Sequence, residues 1–73
     1  MTSLPRISGK ECVRALKKSG FEVKRQHGSH IILRRENPFA QVVVPDHSEL
    51  DTGTLRAILR QAGIEPEQFR LLI

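Results

Sequence analysis

The stretch from position 51 to position 64 carries the helix pattern that most constrains the fold of this chain. Apolar side chains recur there at the i, i+3, i+4, i+7 spacing that places them on one side of a helix: Leu55, Ile58, Leu59 and Ala62. Asp51 or Thr52 can cap the start of this helix, and Gly63 suits its end. A helix with one apolar side must bury that side, so the rest of the chain must supply a surface for it.

A second helix is predicted nearer the N-terminus. Ser8-Gly9-Lys10-Glu11 has the capping-box form, with Ser at the N-cap and Glu three residues later, and the helix runs to about Ser19. Gly20 is suited to a left-handed C-cap. The apolar side of this helix consists of Cys12, Val13, Ala15 and Leu16. Because Cys12 is the single cysteine, it cannot form an internal disulfide, and its apolar neighbours predict core packing.

Two segments that follow this helix have the character of strands. Residues 21–26 alternate apolar and polar side chains, which predicts that Phe21 and Val23 face the core. A turn at His27-Gly28 leads to the second strand, residues 29–35. Residues 36–39 are predicted to form a hairpin loop that leads to the next strand.

A third strand is predicted over residues 40–44, where the run Val42-Val43-Val44 suggests burial on both faces of the sheet. Pro45 ends this strand. Pro66 suits the first position of a last short helix, whose start looks bare because Glu65 stands where a Ser or Thr cap is expected. The residues predicted to dock this helix on the core are Phe69, Leu72 and Ile73.

The predicted element order is helix, three strands, helix and short helix. Consecutive antiparallel strands flanked by helices predict an α+β domain, with both main helices on one face of a three-stranded antiparallel sheet. The chain of 73 residues is expected to form one domain, residues 1–73, with a small core and a shallow site near the surface. A shallow site suits a polymer substrate better than a small metabolite.

The charge balance favours a polyanionic partner. Twelve Lys and Arg against eight Asp and Glu give a formal net charge of +4, which indicates nucleic acid first. Three Phe with no Trp or Tyr disfavour a binder that stacks bases on aromatic side chains. Since no apolar run reaches the ~20 residues that span a bilayer and the N-terminus lacks a signal-peptide pattern, we expect a cytoplasmic protein with no membrane partner.

The motif His27-Gly28-Ser29-His30 is the most informative for chemistry. In the strand that it opens, Ile31 and Leu33 form the predicted core set, so His30 and Arg34 share the opposite face. A histidine can take or give a proton near neutral pH, so His30 beside arginines is suited to acid–base work on a phosphodiester. A strand-end histidine bonded to backbone would have the same sequence context, and the residue chemistry alone leaves both readings open.

Five segments, in their order and spacing, resemble the HicA-type toxins, the small mRNA-cleaving members of bacterial and archaeal toxin–antitoxin pairs. The resemblance extends from about Ser8 to Phe69. The segments that carry it are Ser8-Gly9-Lys10-Glu11, Leu16-Lys17-Lys18-Ser19-Gly20-Phe21, Gly28-Ser29-His30, Val43-Val44-Pro45-Asp46-His47 and residues 53–64.

This resemblance carries expectations about fold, site and partners. It implies a fold like that of a double-stranded-RNA-binding domain, which agrees with the element order above. It implies that His30, the histidine of Gly-Ser-His, is the active residue, and that Pro45 and His47 form the family's Pro-x-His motif. It also implies mRNA as the substrate and a HicB-type antitoxin that covers the site. We expect no cofactor.

For RNA cleavage, we expect His30 to supply the acid–base function, worth about 10²–10⁴-fold in rate. Attack by the ribose 2′-OH would leave a 2′,3′-cyclic phosphate. The residues expected to bind the substrate are Lys24, Arg25, Ser29, Arg34 and Arg35. His47 is a candidate auxiliary group, with loop anchoring as its alternative role. His27 is expected to be a turn residue that points away from His30, so we expect no shared metal ion.

Two other function classes fit the same residues. A non-catalytic RNA-binding module of this fold would keep its RNA affinity and its biological effect after His30→Ala. A protein-interaction domain, with its basic face on an acidic partner, would show no salt-dependent RNA binding, whereas an RNA binder loses affinity steeply as salt rises.

Overall fold

A computed structural model describes residues 3–73 of the chain. Its elements follow the predicted order. They are α1 (Gly9–Lys18), β1 (Glu22–His27), β2 (His30–Glu36), β3 (Phe39–Pro45), α2 (Thr52–Ala62) and α3 (Pro66–Arg70). The strands form one antiparallel sheet in the order β1-β2-β3. This arrangement confirms the predicted α+β class; the likeness to double-stranded-RNA-binding domains stays a prediction.

Local signals set the ends of α1. The Ser8 hydroxyl accepts a hydrogen bond from the Glu11 N–H (3.0 Å), and the Glu11 carboxylate accepts one from the Ser8 N–H (2.8 Å), which completes the predicted capping box. These bonds hold the pKa of the Glu11 carboxyl below its usual value. At the other end, Gly20 adopts a left-handed conformation (φ 94°) directly after the C-cap residue Ser19.

The later helices use different caps. Asp51 occupies the N-cap position of α2, although its side chain makes no capping hydrogen bond, and Gly63 ends the helix in the left-handed conformation that the sequence predicted. The start of α3 is not bare, which corrects the expectation based on Glu65. The Gln68 side chain accepts a hydrogen bond from the Glu65 N–H (3.0 Å), so a side chain from inside the helix supplies the cap.

Alternate residues of the sheet point to two different surroundings. We call the face toward the helices the covered face and the opposite one the open face. By strand register, the covered face carries Val23, Gln26, Ile31, Leu33, Arg35, Ala40, Val42 and Val44. The open face carries Glu22, Arg25, His27, His30, Ile32, Arg34, Glu36, Phe39, Gln41, Val43 and Pro45. The core lies between the covered face and the helices, as both main helices were expected to pack on one side.

Two valines that the sequence assigned to the core are exposed. Val43 is 44% exposed because side chains alternate along β3 and the helices cover only one face of the sheet, so its two neighbours are buried while it points away. Val23 lies opposite Leu33 on the covered face but is 41% exposed, because the helices lie mainly over β3 and leave β1 largely open to solvent. The prediction was correct for Phe21, which is buried just before β1.

The C-terminal residues are partly docked. Phe69 is fully buried and Leu72 packs partly against the core, as predicted, and the Lys18 ammonium donates a hydrogen bond to the Leu72 carbonyl (2.9 Å). Ile73 is 49% exposed, so its predicted docking is wrong. It lies with Leu72 beside α1, where about half of its surface stays in contact with water.

Cys12 packs in the core as the sequence indicated. Its side chain is fully buried on α1, and burial raises the pKa of the thiol to about 12. A thiol held neutral in this way is a poor nucleophile, so Cys12 contributes packing.

Among residues 3–73, no helix has both the length and the apolar character needed to cross a membrane.

Candidate active site

A two-residue turn brings two histidines together on the open face. Gly28 and Ser29 connect β1 to β2, and Gly28 has a left-handed backbone (φ 55°) that suits glycine. The turn makes His27 and His30 direct cross-strand partners. Opposite residues in antiparallel strands point to the same face. The expectation that His27 points away from His30 is therefore wrong, because the chain reverses between them and the alternation of a single strand does not apply.

The hairpin is tied to the loop that follows β3. The Gln26 side-chain amide donates to the Gly28 carbonyl (2.9 Å) and lies 3.4 Å from a carboxylate oxygen of Asp46. The Asp46 N–H donates to the Ser29 carbonyl (2.6 Å). The turn is thus held from both sides, which limits the movement of the two histidines beside it.

The same loop is tied to the start of α1. The Gly9 N–H donates to the His47 carbonyl (2.9 Å), and a Cβ atom at position 9 would overlap the carbonyl oxygen of Pro45. Position 9 therefore requires glycine. Pro45 is the cross-strand partner of His30, so the packing of α1 on this loop supports the strand that carries His30.

Two of the predicted phosphate-binding residues lie on the open face with His30. Arg25 is opposite Ile32, and Arg34 is opposite both Glu22 and Gln41. The Arg34 guanidinium donates to the Gln41 side chain (3.1 Å). Both arginines are within a few residues of the histidine pair on the same surface, so the open face combines positive charge with exposed imidazoles.

Lys24 and Ser29 are also exposed near the hairpin. Lys24 lies where the register shifts between Val23 and Arg25, and its ammonium is 3.4 Å from a Glu22 carboxylate oxygen. Ser29 lies in the turn next to His30. Both could reach a polymer bound at this end of the sheet.

Arg35 differs from the other predicted phosphate-binding residues, because it lies on the covered face. Its guanidinium stacks over the Phe21 ring, 4.7 Å from the ring centre. It also donates to the carbonyls of Ala62 (3.0 Å) and Pro38 (2.9 Å). Arg35 thus joins the sheet to the end of α2, and its position supports a structural role.

A comparison with protein families gives a match over most of the chain. The sequence model of the HicA toxin of bacterial toxin–antitoxin systems matches residues 9–64. The chain belongs to the HicA toxin family. A HicA toxin acts together with a cognate antitoxin, so the family membership also establishes the type of protein partner. A search of curated proteins found no match.

The matched segment of this HicA toxin includes the open-face histidines and the loop after β3. His47 is exposed in that loop, two residues beyond the last paired residue of β3, and its backbone carbonyl is bonded to α1. This bond uses only the backbone of position 47, so the role of the His47 side chain stays a prediction. Within residues 3–73, no group of three or more His, Cys, Asp or Glu side chains is arranged to hold a metal ion.

Sequence reasoning missed the position of His27 in this HicA toxin. The signal was present, because Gly-Ser between two strand-like segments is typical of a two-residue hairpin turn. In such a hairpin the residues on either side of the turn are cross-strand partners. Applying that rule to His27 and His30 would have placed both histidines on one face.

Proposed function

We propose that this HicA toxin is an endoribonuclease that cleaves mRNA, with His30 as a catalytic acid–base residue. The observation that carries the proposal is the position of His30. It lies exposed on the open face, next to a hairpin turn that is held by hydrogen bonds and on the same surface as Arg25 and Arg34. Membership of a toxin family supports a target whose loss arrests growth.

The chemistry needs only the chain and its RNA substrate. A base removes the proton of a ribose 2′-OH, and the 2′-oxygen forms a bond to the adjacent phosphorus. The bond from phosphorus to the 5′-oxygen breaks, and an acid protonates that oxygen as it leaves. The products are a 2′,3′-cyclic phosphate and a 5′-OH. An imidazole suits either proton transfer near neutral pH, and such a step contributes about 10²–10⁴-fold in rate.

The phosphates of the RNA would contact the basic side chains around His30. Arg25 and Arg34 supply charge on the open face, and Lys24 and Ser29 extend the surface at the hairpin. We leave Arg35 out of this surface because its guanidinium is bonded to backbone carbonyls on the covered face. Binding should weaken as salt rises, since each neutralised phosphate of a single strand releases counterions.

The antitoxin proposed for this toxin is of the HicB type and would cover the open face, which blocks RNA from His30. A partner with an acidic surface would associate quickly with a chain of net charge +4. Since mRNA is the proposed substrate, the toxin would act in the cytoplasm.

The first experiment compares growth and mRNA integrity after induced expression of the wild type and of His30→Ala. We expect growth arrest and mRNA loss with the wild type and neither with the variant. Gln61→Ala is the control, because Gln61 is exposed on α2, on the side of the sheet away from the open face. Equal protein levels must be confirmed by blot. Equal arrest by the wild type and His30→Ala would exclude His30 as the catalytic residue.

A second experiment uses purified protein and a short RNA. We expect a 2′,3′-cyclic phosphate end and no cleavage when the nucleotide at the cut carries 2′-deoxyribose. Salt-dependent RNA binding with no cleavage by the wild type would favour the non-catalytic RNA-binding module instead. No RNA binding at all would favour the protein-interaction domain.

A further inference from the structure

RNA cleavage by the 2′-OH route requires two proton transfers, one at the 2′-oxygen and one at the 5′-oxygen. The attacking and leaving oxygens lie on opposite sides of the phosphorus. One imidazole could serve both only by moving across the phosphate during the reaction. A second proton-transfer group close to His30 removes that requirement. The assignment of this group rests on the function proposed above.

His27 is placed for this task by the strand register. It is the direct cross-strand partner of His30, and opposite residues in antiparallel strands have Cβ atoms about 4.5–5.5 Å apart. Both side chains are exposed on the open face. Two imidazoles that start from such closely spaced backbone positions can lie on either side of one phosphodiester and contact its two bridging oxygens.

The surrounding contacts keep this pair in place. Gln26 binds the carbonyl of Gly28 within the turn, and Asp46 binds the carbonyl of Ser29 from the neighbouring loop. Neither contact uses an imidazole nitrogen. The hairpin therefore fixes the backbone at His27 and His30 and leaves both rings free to rotate toward a substrate.

We propose that His27 is the second catalytic residue of this toxin and forms an acid–base pair with His30. One imidazole accepts the proton of the 2′-OH as the 2′-oxygen bonds to phosphorus. The other, which begins protonated, donates its proton to the 5′-oxygen as the bond from phosphorus to that oxygen breaks. One ring gains a proton and the other loses one, and exchange with water restores both.

His47, the auxiliary candidate from sequence, is less well placed than His27. It lies two residues beyond Pro45, where the pairing with β2 has ended, and its backbone is bonded to the start of α1. Arg25 lies on the open face two residues before His27, and Asp46 follows Pro45, the cross-strand partner of His30. The arginine can bind the phosphate that the two imidazoles flank.

The test measures single-turnover cleavage by the wild type, His27→Ala, His30→Ala, His47→Ala and, as a control, Gln61→Ala, because Gln61 is exposed on α2 away from the open face. Each protein is assayed on an ordinary RNA and on the same RNA with sulfur in place of the 5′-bridging oxygen at the cut. Sulfur leaves without protonation, so it removes the need for the acid. We expect His27→Ala and His30→Ala each to lose about 10²–10⁴-fold on ordinary RNA, and only one of them to recover on the sulfur substrate. His47→Ala should not show this pattern, and Gln61→Ala should match the wild type.

The recovery distinguishes catalysis from a structural effect, because misfolding or weaker RNA binding would lower cleavage of both substrates. RNA affinity and thermal unfolding of each variant provide the check. Wild-type rates for His27→Ala, with His30→Ala inactive, would overturn the pairing but keep the proposed ribonuclease. The pairing would also be overturned if neither His27→Ala nor His30→Ala recovered cleavage on the sulfur substrate. The same holds if His47→Ala were the variant that lost cleavage of ordinary RNA and recovered it on the sulfur substrate. A wild type that cleaves neither substrate would refute the proposed function itself.

Discussion

The covered and open faces belong to the same three strands but carry different chemistry. On the covered face, Ile31, Leu33 and Val42 are buried against the helices and supply the core. On the open face, His27 and His30 are exposed beside the turn. Because successive side chains of a strand point to opposite faces, the chain can assign stability and chemistry to alternate residues of one element.

Two pairs of neighbouring residues show how sharp this division is. Val42 is 1% exposed and Val43 is 44% exposed, although both are valines in the same strand. Arg34 lies on the open face and Arg35 on the covered face, where Phe21 and two carbonyls hold it. Identical residue types thus differ in role by position alone, and substitutions at these pairs test the comparison.

The largest effect on stability is expected at Gly9, where α1 closes on the end of β3. In Gly9→Ala the new Cβ would overlap the Pro45 carbonyl oxygen, and a backbone atom cannot move aside as a side chain can. We expect a loss of about 3 kcal/mol in the free energy of unfolding, measured by urea denaturation. Gly28→Ala is the control at the hairpin, where a Cβ meets open space and only the left-handed backbone resists, at about 1 kcal/mol. Equal losses would contradict the packing argument.

Val42→Ala and Val43→Ala compare the two faces with one chemical change. We expect Val42→Ala to lower the free energy of unfolding by about 2 kcal/mol, because it removes buried methyl groups and leaves a cavity. Val43→Ala should cost about 0.5 kcal/mol, since its side chain already contacts water. The measurement is the denaturant midpoint of each variant. Similar midpoints for the two variants would mean that the open face is as well packed as the covered face.

Arg35→Ala and Arg34→Ala separate stability from RNA binding. Arg35→Ala loses hydrogen bonds to two carbonyls and the contact with Phe21, so we expect a loss of about 1–2 kcal/mol in the free energy of unfolding. Arg34→Ala should leave stability nearly unchanged and reduce the salt dependence of RNA affinity by about one phosphate contact, a slope change of roughly 0.7. The reverse pattern would show that the assignment of the arginines to faces has no functional meaning.

The smallest effect concerns the thiol of Cys12 in the core. Burial raises the pKa of Cys12 from 9.0 to about 12, so the neutral thiol favours the folded state. Its contribution to stability is complete below pH 9 and is lost as pH rises toward 12, because the unfolded chain releases the proton first. Between pH 9 and pH 10 the wild type should lose about 1 kcal/mol more than Cys12→Ala does. If the free energy of unfolding falls equally with pH in the two proteins, burial does not raise the pKa of the Cys12 thiol.

The helices were predictable because their signals are local. Ser8 and Glu11 are three residues apart and form a capping box, and Gly63 ends α2 in the conformation that glycine favours. The class of fold followed from the order of the elements. The burial of individual strand residues did not, since Val23 and Val43 have the sequence character of core residues and differ only in what lies over them.

The site shows a similar division. His30 on the open face was predicted, and its role as a catalytic residue stays a prediction. The placement of Arg35 could have been deduced, because a strand whose core set is Ile31 and Leu33 must also point Arg35 toward the helices. The cross-strand partner of His30 depends on where the chain turns between β1 and β2. Treating His27 and His30 as parts of one extended strand placed His27 on the wrong face of the sheet.

Local patterns in the sequence established the element order, both ends of α1, the end of α2, the burial of Cys12 and the resemblance to HicA toxins. These features depend on residues a few positions apart or on motifs that can be recognised one by one. The tertiary structure decided which face of the sheet the helices cover, and therefore that Val23 and Val43 are exposed although their sequence context is that of core residues. Those outcomes depend on contacts between residues far apart in the chain, such as Gly9 with His47 and Arg35 with Ala62, whose energies no local pattern records.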